Sequence, residues 1–175
     1  MIFPAYNEIP NVGLFLEQVA KYVNEYLAPN FNVSITTSMI SNYVKKNLLD
    51  NPVKKQYYRD HIVYVFFIAV AKTVLSLEEV DLLLSECKAQ FDCRTFYDYF
   101  CKEYSEAYEE VQEGRSTDVD CKKNTCDYLL KETIITAAHK IYLDEIFSSI
   151  EKKDSKEKQV EKSSKKEVKK QKSTK

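Results

Sequence analysis

The chain has 175 residues, 44% of them hydrophobic, so it can bury one principal core with a small helical appendage but not two large domains. It contains only two glycines, which excludes a glycine-rich phosphate-binding loop and favours helices, so the predicted fold class is mainly all-α. The net charge of −1 is segregated: residues 37–72 carry five Lys and one Arg against two Asp, residues 73–150 are strongly acidic, and residues 151–175 carry eleven Lys against five acids.

The first predicted helix covers residues 14–27, where Leu16, Val23 and Leu27 share one face. A second, shorter helix follows the capping hydroxyls of residues 36–38 and ends before Asp50-Asn51-Pro52. Its apolar side chains recur at helical spacing, and its other face is polar and basic. The pair is typical of a helix-turn-helix.

Residues 53–58 are too few for a separate domain element and lack the glycine of a tight hairpin, so we predict a small extended excursion. Asp60 is expected to cap a third helix. That helix is apolar nearly all round from Ile62 to Val74, which predicts the most buried element of the chain.

The fourth helix is predicted from the pattern Ser76-Leu77-Glu78-Glu79, which matches a capping box. A fifth helix covers residues 95–113 and carries a seam of tyrosines. A sixth extends from about residue 124 to 152. We expect the last two helices to form a C-terminal helical hairpin or an oligomer face.

Three regions follow from this organisation. Residues 1–84 are predicted to form a winged helix-turn-helix, and residues 85–150 a helical region for dimerisation or effector sensing. Residues 151–175 are rich in Lys and Glu and contain only two hydrophobic side chains, so we expect a disordered tail.

A helix, a polar-faced second helix, a lysine-rich excursion and a core helix are together typical of a winged reader of double-stranded DNA. The second helix would enter the major groove, where side chains read base edges and nearby lysines bind phosphates. The base-edge candidates are Thr37, Ser38, Ser41 and Asn42. The phosphate candidates are Lys45, Lys46, Lys54, Lys55 and Arg59. Tyr57 is included in the site, although we expect it to anchor the core rather than to read bases.

Residues 14–84 contain five short motifs in this order: TTSMISNY at 36–43, KKNLL at 45–49, PVKKQY at 52–57, HI at 61–62 and LSLEEV at 75–80. They closely resemble an uncharacterised bacterial family, domain of unknown function 1836. The resemblance implies Gram-positive relatives and a predicted regulator, although that family carries no established activity.

The same order of features resembles, more distantly, the DNA-binding domain of the MerR family. This likeness implies a MerR-like winged helix-turn-helix. Three features depart from the MerR pattern: Asn47 stands in place of a glycine, the wing is short, and Tyr58 replaces a capping serine.

The remaining reactive residue types indicate no enzyme, no cofactor and no metal site. The five cysteines include no CxxC pair, and Cys121 and Cys126 are expected to be ordinary reduced thiols. The start of the chain lacks a secretory signal, and its longest apolar run, 62–71, is about half of what a membrane span needs. We therefore expect a cytoplasmic protein that does not enter membranes.

We expect the chain to be a transcriptional regulator that binds DNA as a homodimer, with an unknown small-molecule effector. The alternative is a non-enzymatic adaptor that keeps the winged-helix scaffold and binds another protein through helices 95–113 and 124–150. The tyrosine-rich seam favours this alternative, since tyrosine is enriched at interfaces.

Overall fold

The computed structural model describes residues 2–115 and 125–172, with side chains as far as Glu151. Within these ranges the chain forms six α-helices and no strand longer than an isolated bridge, which confirms the mainly all-α class. The helices are α1 Leu16–Phe31, α2 Thr37–Lys45, α3 Arg59–Ala71, α4 Leu77–Gln90, α5 Cys93–Gln112 and α6 Cys126–Lys172, preceded by a short 3-10 turn at Tyr6–Glu8.

The chain divides into two compact units, Met1–Tyr142 and Leu143–Lys175. The predicted boundary after residue 84 falls inside the first unit. Aromatic contacts across the core explain why: Phe67 of α3 packs edge-on against Phe96 and Phe100 of α5, with ring centroids 5.0 and 5.4 Å apart. Residues 1–84 and the region that follows them therefore share one hydrophobic core.

The centre of this core is α3, as the sequence predicted. Every residue from Ile62 to Ala71 except Tyr64 is buried. The helix begins one residue before the expected cap, because Tyr58 is the N-cap and its N–H donates to Nδ1 of His61 at 3.1 Å. This bond satisfies the N–H of the N-cap residue, as the glutamate of a capping box does, while Asp60 accepts a hydrogen bond from the hydroxyl of Tyr6.

The N-terminal segment is an integral part of the core, which the sequence did not predict. Phe3 is buried, and its ring lies 5.0 Å from those of Phe31 and Phe100 and 5.9 Å from that of Phe66. The hydroxyl of Tyr97 donates to the carbonyl of Pro4 at 3.0 Å. These contacts close one side of the first unit before α1 begins.

Helices α4 and α5 begin at polar caps. The predicted capping box at Ser76 and Glu79 is formed, and Asp92 accepts from the backbone N–H of Thr95 at the start of α5. An ion pair of 3.0 Å joins Glu103 of α5 to Lys131 of α6, so these helices are in contact. Their antiparallel arrangement as a hairpin stays a prediction.

The tyrosine seam of α5 is directed into the protein. Tyr97 and Tyr104 are buried, and Tyr108 is half-buried. A seam buried within its own chain is not an exposed surface for a partner. The adaptor alternative therefore loses the feature that favoured it.

The C-terminal segment 151–175 was expected to be disordered, whereas α6 continues through it to Lys172. It contains no glycine or proline and consists largely of Lys and Glu, which are good helix formers, so local propensity allows the helix to extend. Across the described residues, no helix is long and apolar enough to cross a membrane.

Candidate nucleic-acid interface

Helix α2 is held by a side-chain clamp from α1. The amide of Asn24 donates to the carbonyl of Ile35 and accepts from its N–H, both at 2.8 Å, which fixes the connection before α2. The hydroxyl of Thr36 then accepts from the N–H of Met39 at 3.2 Å and caps the helix as predicted. The start of α2 is therefore rigidly placed against α1.

The predicted base-edge residues lie on the outward side of α2. Ser38, Asn42 and Lys45 follow at steps of four and three residues, so they share one face, and all three are exposed. Ile40 and Tyr43 on the opposite face are buried. The half-buried Thr37 and Ser41 flank the exposed row.

The end of α2 explains one departure from the MerR pattern. Asn47 has a φ of 61°, in the left-handed region where glycine is usual and Asn is tolerated. Its N–H donates to the carbonyl of Val44, and the N–H of Leu48 donates to that of Tyr43, both at 3.0 Å. These bonds form a Schellman motif, so Asn47 adopts the left-handed conformation that glycine usually adopts after a helix end.

The excursion after α2 is a tight two-residue hairpin, and the expectation that it needed glycine was wrong. Val53 and Gln56 exchange backbone hydrogen bonds of 3.0 and 2.9 Å. The two residues between them, Lys54 and Lys55, both have positive φ, 51° and 67°. That is the pattern of a type I′ turn, which normally selects Asn-Gly. Both lysines are exposed.

A second bridge fixes the hairpin to the body. Leu14 and Tyr57 exchange backbone hydrogen bonds of 2.8 Å in each direction. The buried ring of Tyr57 packs edge-on against His61 at 5.5 Å. A Cβ on Gly13 would lie 2.6 Å from Oε1 of Gln56 and 2.9 Å from its Cβ, so this close approach requires glycine.

Two predicted site residues have structural roles. Tyr57 is buried, as described above, and Arg59 is half-buried with its guanidinium engaged. Nε of Arg59 donates to the carbonyl of Ile9 at 2.8 Å, and Nη2 donates to that of Asn7 at 3.4 Å. The group also lies 5.1 Å from the ring of Tyr6. Arg59 thus ties the N-terminal segment to α3, and neither residue joins the exposed set.

The basic residues differ in whether an acidic side chain forms an ion pair with them. Nζ of Lys46 lies 3.0 Å from a carboxylate oxygen of Glu78 in the first turn of α4, and this hydrogen bond holds the pKa of the Glu78 carboxyl below its usual range. Within the described part of the chain, Lys45, Lys54 and Lys55 make no ion pair. Within residues 37–72, the exposed positive charge that has no ion pair therefore lies on α2 and at the hairpin tip.

Of the two cysteines singled out in the sequence, Cys121 and Cys126, the structure describes one. Cys121 lies outside the described residues, and Cys126 is buried beside Cys87. The described side chains include no group of three or more His, Cys, Asp or Glu that could hold a metal ion.

The comparison with family models gives a match for residues 4–111 to a family described as domain of unknown function DUF1836. The chain belongs to the DUF1836 family. The match extends beyond residues 14–84 at both ends, and so includes the buried N-terminal segment and most of α5 that pack with α3. No curated protein and no solved structure matches this DUF1836 chain.

Proposed function

We propose that this DUF1836 protein is a transcriptional regulator that binds double-stranded DNA. The exposed face of α2 enters the major groove, and the hairpin at Lys54 and Lys55 grips the adjacent backbone in the manner of a MerR-like wing. The observation that carries the proposal is the hairpin tip, where two exposed lysines occupy both positive-φ positions of a type I′ turn.

Backbone strain makes that observation informative. An L-residue other than Gly, Asn or Asp in the left-handed region costs about 1–2 kcal/mol. Asn-Gly would satisfy the same turn without that strain. Strained backbone persists mainly where function requires it, and two ammonium groups at a hairpin tip suit a row of phosphates.

The distribution of charge supports the same orientation. The exposed lysines belong to residues 37–72, whereas residues 73–150 carry seventeen acidic against eight basic side chains. A polyanion is attracted to the first region and repelled by the second. On α2, Ser38 and Asn42 can donate to and accept from base edges, and Asn pairs bidentately with adenine.

The proposal includes a homodimer, because readers of this type bind two half-sites with two copies. Support comes from the second compact unit, where Leu143, Ile146, Phe147 and Ile150 are all exposed. Their spacing of three, four and seven residues places them on one face of α6. A second copy of the same helix would cover this apolar stripe, since two identical stripes are self-complementary.

The test is fluorescence anisotropy of the purified chain on duplexes selected from a random-sequence pool, measured over a salt series. We expect affinity to fall with salt by a slope of about −0.9 per phosphate contact. The variant Lys45→Glu with Lys46→Glu should abolish binding and keep its helical circular dichroism. The control, Lys21→Glu with Lys88→Glu, makes the same charge change at exposed lysines outside residues 37–72 and should retain most of the affinity.

Retained affinity in the Lys45 and Lys46 variant would contradict the assignment of α2. Binding that disappears when residues 151–175 are deleted would mean that the lysine-rich tail, and not the helix-turn-helix, holds the DNA. A single stoichiometric protein partner without any DNA affinity would support the adaptor instead.

A further inference from the structure

Two buried thiols meet between α4 and α6. Cys87 lies in the last turn of α4, and Cys126 is the first residue of α6. Their Sγ atoms are 3.1 Å apart, and their side chains are 1% and 5% exposed. A disulfide has an S–S distance of about 2.05 Å, so the two sulfurs need to approach by only about 1 Å.

The other described cysteines have different neighbours. Cys93 lies beside Asp60 and Tyr64, and its pKa is raised to about 12 by burial first and then by the charge of Asp60. Cys101 lies beside Tyr97, and burial also raises the pKa of its thiol to about 12. Among the described residues, Cys87 and Cys126 are therefore the one pair of thiols in contact.

We propose that Cys87 and Cys126 form a reversible intramolecular disulfide when a peroxide oxidises the protein. The Cys126 sulfur attacks one peroxide oxygen, the O–O bond breaks, and a sulfenic acid and one water result. The Cys87 sulfur then attacks the Cys126 sulfur, the S–O bond breaks, and the hydroxyl leaves as a second water. Two thiols lose two electrons and two protons, and hydrogen peroxide is reduced to two waters.

Position determines which thiol reacts first. Both cysteines stand in the terminal turn of a helix, where local opening needs least free energy, and Cys126 is the more exposed of the two, 5% against 1%, so we expect it to react first. Burial raises the pKa of both thiols, so little thiolate exists near neutral pH and the reaction is slow there. Raising the pH toward the thiol pKa should accelerate it.

The bond would change the stability of the first compact unit. It joins residues separated by 39 positions in sequence, and so restricts the unfolded chain across the whole of α5. We expect the oxidised protein to unfold at a temperature about 5–10 °C higher than the reduced protein. The inference is independent of DNA binding.

The experiment treats the full-length protein with hydrogen peroxide, blocks the remaining thiols with iodoacetamide, and identifies cross-linked peptides by mass spectrometry. We expect a monomeric product with one bridge between the peptides of Cys87 and Cys126, a raised melting temperature, and reversal of both by dithiothreitol. The variant Cys126→Ala should lose both changes. The matched control, Cys93→Ala with Cys101→Ala, should keep them.

The same pairing is measured at equilibrium in glutathione redox buffers, where slow access of the oxidant no longer matters. If both thiols stay reduced in the most oxidising buffer, and are therefore fully alkylated by iodoacetamide, the proposal is overturned. A bridge from Cys126 to Cys121 in place of Cys87, or a bridge between two chains, would also overturn it.

Discussion

Single side chains decide how the candidate interface is built. Three non-glycine residues have positive φ at its turns, and they differ in chemistry: Asn47 tolerates the left-handed region, whereas Lys54 and Lys55 are strained in it. Lys46 is in turn partly neutralised by Glu78. The proposed affinity for DNA should therefore depend on which positive charges are free as well as on how many there are.

Replacing Glu78 with Gln tests that point. The variant releases Lys46 and removes a negative charge near the proposed phosphate path, so DNA affinity should rise and the salt slope should steepen by about 0.9. The pKa of Glu78 is lowered, so its ion pair with Lys46 exists above that pKa and is lost as pH falls through it. Acidification of the wild type should therefore reduce the difference between the two proteins.

The measurement is anisotropy at low salt, with Glu86→Gln as the control, because Glu86 is an exposed carboxylate on the same helix. An equal change in both variants would indicate a general effect of net charge. No change in either would show that Lys46 does not reach the DNA.

Among the larger elements, the N-terminal segment makes the most specific stability prediction. Truncating Phe3 to Ala should destabilise the protein by about 3–5 kcal/mol, because the ring is buried among other aromatic rings and leaves a cavity. The control Val12→Ala changes an exposed side chain in the same segment and should alter stability by less than about 0.5 kcal/mol.

Urea denaturation measures both variants. A loss below about 1 kcal/mol in Phe3→Ala would mean that the segment before α1 is not part of the cooperative core.

The exposed stripe on α6 makes a prediction about assembly. Phe147 is 61% exposed, and Phe147→Glu places a charge in the centre of the proposed dimer contact. We expect the wild type to sediment as a dimer and the variant as a monomer. Leu82→Glu, at an equally exposed position on α4, should remain dimeric. A wild type that is monomeric at all accessible concentrations would contradict the proposed dimer.

Sequence periodicity found the elements whose signals are local. The cap at Thr36, the capping box at Ser76 and the apolar α3 are where the spacing predicted them. It missed the buried N-terminal segment, because Phe3 packs against residues far away in sequence. It also missed the tight hairpin, since two lysines at positive φ contradict the usual turn chemistry.

Sequence periodicity predicted only part of the candidate site. The exposed row on α2 follows from helical periodicity, whereas the roles of Arg59 and Tyr57 depend on contacts with Ile9 and Leu14 that no local pattern encodes. Lysine-rich stretches reveal charge but not which charges are paired. The partner of Lys46 lies on α4, thirty-two positions away in sequence.

The DUF1836 match covers residues 4–111, which contain the helix pair, the hairpin and the core that supports them. Charge segregation makes residues 37–72 positive and residues 73–150 acidic. We propose that the strained hairpin is kept because its two lysines bind DNA.

The most direct measurement pairs stability with affinity in one variant, Lys54→Asn with Lys55→Gly, which installs the preferred type I′ sequence. We expect urea denaturation to show a gain of about 2–4 kcal/mol, because left-handed strain of about 1–2 kcal/mol is relieved at each of the two positions. Anisotropy should show weaker DNA binding with a salt slope smaller by about 2, because two phosphate contacts are lost. A variant that is more stable and binds DNA as tightly as the wild type would contradict the claim.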